Sequence, residues 1–170
     1  MKKVLSLVLA LVMCLSLCAC GGSKGKNAKA TIIKNDGETV EMSAKELIME
    51  NDANEAKFLK LYSGASVEFV GTVETVKVGD MVYTRDGIIS KQNKIVFTEG
   101  WCLTLGSNND KYDLSDYYVG QKLKVSTGVV GAFYENAFDE TGDKVIWLVG
   151  NDNLWGYVIN KQTTTISVVE

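Results

Sequence analysis

The chain has 170 residues and a mass of 18.6 kDa, with 18 Lys plus Arg, 21 Asp plus Glu, no His and no Pro. That length sets one domain with small appendages. A composition of 46% hydrophobic and 23% charged residues excludes a disordered chain, a collagen-like repeat and a multi-span membrane protein. Without His, neither a Ser-His-Asp triad nor a His-ligated zinc site can form.

The chain opens on Met1-Lys2-Lys3 and continues with an uncharged, mostly apolar run over residues 4–19. A spanning helix needs about 20 such residues, so this shorter run after two lysines reads as a signal peptide, 1–19. It ends in Leu17-Cys18-Ala19-Cys20, followed by Gly21-Gly22-Ser23. That ending resembles the bacterial lipoprotein lipobox. The resemblance implies cleavage before Cys20, diacylation of its thiol, and display on the extracytoplasmic face of the cell membrane. One acyl chain anchors only marginally, and two or more hold stably. On this reading Cys14 and Cys18 leave with the signal, and Cys102 is the one thiol of the body. It is expected as a small residue on a strand, unable to form an intramolecular disulfide.

Residues 20–30 hold small residues and lysines and read as a flexible tether. Five of the basic residues precede Thr31, which leaves 13 against all 21 acidic residues, a net −8, for the folded part. Lys24, Lys26 and Lys29 favour anionic lipid or simply keep the tether soluble. The acidic body is expected to be repelled by anionic headgroups. It is also expected not to bind nucleic acid, whose recognition rests on neutralising phosphates.

The folded part is expected over 31–170. Residues 31–42 read as a hairpin about Asn35-Asp36-Gly37. Ser43-Ala44-Lys45-Glu46 is a capping box opening one helix to about Tyr62, with Leu47, Ile48, Phe58, Leu59 and Tyr62 on its packed face. Ser63-Gly64 ends it. Val67, Phe69 and Val73 share one parity while Val76 and Val78 take the other, so a long strand must contain a bulge or a Gly-centred bend. Residues 81–84 read as a second short strand, with Asp86-Gly87 as a turn. Ile95, Phe97, Trp101, Leu103 and Leu105 share a face. Residues 108–120 read as a polar, aromatic loop with one helical turn. Leu123, Val125, Thr127, Val129, Gly131 and Phe133 alternate along another long strand. Residues 145–149 are apolar on both parities, hence buried on both sides, and 162–169 form the last strand. The expected fold class is mainly β (α+β): a small OB-like, partly open β-barrel with an N-terminal helix, whose strongly curled strands let a small sheet close. A β-sandwich is the alternative.

Glu46-Leu47, Asn54-Glu55-Ala56, Tyr62-Ser63-Gly64 and Val67-Glu68-Phe69-Val70-Gly71-Thr72-Val73 lead a helix through Tyr-x-Gly into V-x-F-x-G-x-V. Together with Val119-Gly120-Gln121-Lys122-Leu123-Lys124-Val125 through Gly128, this pattern resembles the tRNA-anticodon-like OB-fold family, over roughly 43–150. The motifs are structural glycines and alternating valines. They imply the fold; many members of that family are small bacterial lipoproteins or membrane-attached proteins.

No phosphate loop of the G-x-x-x-x-G-K-[ST] type occurs. Ser23 to Lys26 matches S-x-x-K, but inside the tether. Asp110, Asp113 and Asp116 lack the EF-hand order and read as caps in a solvated loop. No metal or cofactor is expected. Trp101 and Trp147 read as core, whereas Tyr117, Tyr118 and Trp155 are the candidates for surface contact with a ligand. The expected function is a non-catalytic binding or interaction module for an envelope protein or glycan. The alternatives are a carboxylate-dependent envelope hydrolase and an accessory subunit of a membrane transport or secretion complex.

Overall fold

The computed structural model describes residues 25, 27–83, 89–106, 112–134, 142–149 and 164–170. Cys20, Asp110, Trp155 and the Asp86-Gly87 turn lie outside the described residues.

The chain begins with β1 (Lys29–Ile33) and β2 (Thr39–Ser43), paired antiparallel. Gly37 has φ 88°, the left-handed conformation that Gly adopts without steric cost. The Gly37 N–H donates to the Lys34 carbonyl at 2.9 Å, closing the expected turn. The tether reading overshoots here. Lys29 and Ala30 already belong to β1, and Ala30 is buried because it pairs with Met42 over the core. Lys29 is not a free lysine either, since its ammonium contacts Glu46 at 2.6 Å.

The single expected helix is two: α1 (Ala44–Ala53) and α2 (Glu55–Tyr62). Asn54 ends the first and caps the second. Its backbone is extended, and its side-chain oxygen accepts from the Lys57 N–H at 3.0 Å. Such side chains compete with the helix for backbone groups, which explains the break. Leu47, Phe58 and Tyr62 are buried as expected, but Leu59 is largely exposed. The Ser43–Glu46 capping box is present in both directions. Glu46 is held down to about pH 2 by its contact with Lys29, then by the Ser43 N–H and hydroxyl. Its ordinary pKa is 4.5. A depressed folded pKa gives stability that is complete above the unfolded value and lost as pH falls through the folded one. Acid titration of the fold should therefore show a loss between about pH 4.5 and 2 that Glu46→Gln flattens. An unchanged pH profile in that variant would contradict the cap.

The remaining elements are β3 (Ser66–Tyr83), β4 (Ile89–Phe97), β5 (Trp101–Gly106), a 3-10 turn (Leu114–Asp116), β6 (Lys122–Tyr134), β7 (Lys144–Val149) and β8 (Thr165–Val168). The sheet order is β2-β1-β3-β4-β5-β7-β6-β8, with β3 also paired to β6. That extra pairing closes a five-strand ring, β3-β4-β5-β7-β6. Its one parallel contact is β5 with β7. The mainly β, OB-like barrel is thus present with its ring closed. β3 shifts register between Val73 and Thr75 and again between Lys77 and Asp80, so the phase change comes from bulges beyond Gly71. Residues 81–83 continue β3 rather than forming a new strand.

Ile95, Phe97, Trp101, Leu103 and Leu105 fill the barrel with Leu123, Val125, Val129, Ile146 and Leu148. Trp101 stacks on Phe69 at 4.9 Å between ring centres. The alternation along β6 holds only to Val129. A register shift before Gly131 turns Ala132 inward and Phe133 outward, where it is largely exposed. Val145 and Trp147 point the other way from Ile146 and Leu148, into a second cluster with Val96 and Cys102. Trp101 and Trp147 are therefore both buried, on opposite faces of the barrel wall. Cys102 is a buried thiol on β5, outside any disulfide, as its strand position implied. The Thr127 hydroxyl donates to the Val149 carbonyl at 2.6 Å and meets the Thr164 hydroxyl at 2.9 Å. These bonds fix the chain where it enters β8.

Candidate functional site

The expected contact residues Tyr117 and Tyr118 follow the 3-10 turn. Asp113 caps that turn by accepting from the Ser115 N–H at 2.9 Å, and this bond holds its carboxyl below the usual range. Leu114 is buried beneath the turn. Tyr117 packs against the core. Its hydroxyl pKa is pushed up by burial, then by the nearby Tyr112 and Asp116. Tyr118 is 65% exposed and Val119 is 69% exposed. The two tyrosines therefore do not form one stacking platform.

Residues 118–121 make a tight turn. The Gln121 N–H donates to the Tyr118 carbonyl at 3.1 Å, and the Tyr118 N–H donates to the Gln121 Oε1 at 3.2 Å. The turn is locked to β3, because the Gly120 N–H donates to the Val73 carbonyl at 2.8 Å and the Val73 N–H to the Gln121 carbonyl at 2.9 Å. Gly120 has φ 87°, and a β-carbon there would meet nothing within 4 Å. Its replacement is thus a test of backbone strain alone. Gly120→Ala should cost about 1–2 kcal/mol, read as a shift in the urea midpoint, and no shift would mean the turn relaxes.

OB-folds commonly bind ligands across the face of their second and third strands. In this barrel those are β4 and β5. On the described part of their outer face, Lys94, Val96, Cys102 and Thr104 are all buried. Lys94 lies 5.1 Å from the Trp147 ring centre, within cation–π range. Two buried polar atoms here, Thr104 Oγ1 and Trp147 Nε1, have no hydrogen-bond partner.

The open face lies elsewhere. The tRNA_anti-like family model matches residues 1–137. The chain belongs to the tRNA_anti-like family. No curated protein and no solved structure matches it. The match stops before β7, although β7 completes the ring of this tRNA_anti-like barrel.

Outside the ring, β1, β2 and β8 widen one wall of the tRNA_anti-like domain into a sheet ordered β2-β1-β3-β6-β8. Register aligns Glu41, Thr31, Glu68, Ser126 and Thr165 in one row across all five strands. Val70, Lys124 and Ser167 form the next row. The Thr31 hydroxyl donates to Glu41 at 2.5 Å, and Lys124 meets Glu68 at 2.9 Å. Adjacent strands lie about 4.8 Å apart, so the row is roughly 19 Å wide. It carries hydroxyls, one ion pair and the 47%-exposed Val70, and no aromatic ring. Chemically it can form hydrogen bonds and ion pairs with a partner surface. Sequence reasoning missed it, because each strand alone shows only an ordinary polar parity.

Among the described residues no three His, Cys, Asp or Glu side chains are grouped to hold a metal ion. An open depression of about 390 Å³ lies between the β1 end and α2. Its polar lining residue Asn35 is engaged by the Lys60 and Ser63 carbonyls at 3.0 and 2.8 Å.

Proposed function

We propose that this chain is a lipid-anchored, extracytoplasmic protein whose OB-like barrel works as a non-catalytic binding module for an envelope protein. Leu17-Cys18-Ala19-Cys20 after an apolar run supports the anchor, with Cys20 as the acylated residue. The single observation behind the binding reading is the five-strand row of Glu41, Thr31, Glu68, Ser126 and Thr165, exposed except at the half-buried Ser126. On the face that OB-folds usually use, Lys94, Val96, Cys102 and Thr104 are buried, whereas the widened wall offers a broad open surface among the described residues. Its lack of aromatic rings favours a protein over a glycan, because sugar faces stack on rings.

A photo-crosslinker at Ser167, in the anchored protein, should give one adduct in whole cells. That adduct should disappear when Thr31→Arg adds bulk and charge to the same row. Equal adducts from a crosslinker at Met49, an exposed residue on α1, would contradict the reading. Turnover of envelope glycans or peptides by the purified protein, abolished by one Asp or Glu substitution, would favour the hydrolase alternative instead.

A further inference from the structure

Gly25, the first described residue, lies at the same end of the barrel as the exposed Tyr118–Val119 tip. Gly25 packs against the β4–β5 turn: a β-carbon on Gly25 would lie 2.8 Å from the Thr98 carbonyl oxygen. The Thr98 N–H donates to the Thr72 carbonyl at 3.0 Å, and the next residue, Val73, holds Gly120 at 2.8 Å. Gly25 and the Gly120 turn are thus separated by β3 and the edge of the β4–β5 turn, about 10–15 Å at ordinary strand spacing. The same end holds the last residues of the chain, since the Val169 N–H donates to the Lys122 carbonyl at 3.0 Å. Val168 and Val169 are 56% and 38% exposed.

Cys20 precedes Gly25 by five residues, which reach at most about 18 Å when fully extended. An anchor at Cys20 would therefore keep this end of the barrel close to the bilayer. The end presents an amphipathic ring and an aliphatic side chain on a turn locked to β3. Tyr is favoured at membrane interfaces because its ring is apolar and its hydroxyl is wet.

We propose that, in the anchored protein, the turn bearing Tyr118 and Val119 rests in the interfacial zone of the bilayer. This rests on the anchored reading given above. The orientation leaves the Glu41-to-Thr165 row on the barrel's flank, free for a partner. It also revises the expectation that the acidic body stands clear of the surface: charge repulsion acts on the body, while a short tether and an apolar tip hold one end down.

The test uses the full chain, acylated in a lipoprotein-processing bacterial host and reconstituted into phosphatidylcholine vesicles containing nitroxide-labelled lipid. Zwitterionic lipid removes the contributions of exposed Lys122 and Asp116. A thiol-reactive fluorophore is placed through Val119→Cys, with Met49→Cys as the control; Cys102 is buried and does not compete. Nitroxide quenching should be several-fold stronger at position 119 than at 49. Equal quenching in protein that floats with the vesicles would overturn this inference and leave the anchor standing. Protein that does not float would overturn the anchor and this inference together.

Discussion

Trp101→Ala should lower folding stability by about 3–5 kcal/mol, the usual range for removing a large buried aromatic. Trp101 is 1% exposed. It stands where β5 meets β7, paired with Ile146 in the one parallel contact of the ring. Its indole stacks on Phe69 at 4.9 Å, and Phe69 meets Phe97 edge-on at 5.2 Å. Removing the indole takes away the stacking partner of Phe69 inside the barrel, so both the transfer loss and the cavity contribute. Domains of this size are stable by about 5–15 kcal/mol, so the variant should be near its unfolding threshold at 37 °C. Equilibrium urea denaturation measures this, with an unchanged slope and a much lower midpoint. A loss below about 1 kcal/mol would place Trp101 outside the core, which its burial contradicts.

Gly71→Ala should destabilise by about 1–3 kcal/mol through overpacking. An added β-carbon would lie 2.8 Å from Phe97 Cδ1, 2.9 Å from Phe69 Cε2 and 3.1 Å from Glu99 Oε2. Both rings are buried and hemmed in, and Glu99 is held by the Thr72 N–H at 2.8 Å, so none of the three can yield freely. Gly71 is thus required for close approach to its neighbours. Adding Phe69→Leu should recover part of the loss, because residues in contact couple. Additive losses in the double variant would show that the strain lies elsewhere.

Local signals were legible in the sequence because their physics is local. The Asn35-Asp36-Gly37 turn and the Ser43–Glu46 box each involve a few adjacent residues, and both stand as read. The shared face of Ile95, Phe97, Trp101, Leu103 and Leu105 also held, since strand parity survives the β4–β5 turn. Asn54 was misjudged because a cap inside an amphipathic window leaves the apolar period on both sides intact. Phe133 was misplaced because a bulge reverses parity without any change in residue type. The second cluster had a trace in the sequence: residues 145–149 are apolar on both parities, which requires cover on the outer wall. The barrel itself was expected from the curled strands, but the pairing that closes its ring and the five-strand row had no trace. Both depend on β3 pairing β6, from Ser66 with Gly128 to Thr72 with Lys122, a register set by tertiary packing. Of the contact candidates, Tyr118 is exposed and Tyr117 packs against the core, and the sequence gave no sign that Gly25 lies at the same end of the barrel as Tyr118.

The most direct test of the account is the intact mass of the protein extracted from membranes. The account predicts a chain beginning at Cys20 that carries a diacylglyceryl group on its thiol, and release from the membrane in Cys20→Ala. A mature chain that begins at another residue, or that begins at Cys20 with an unmodified thiol, would contradict it.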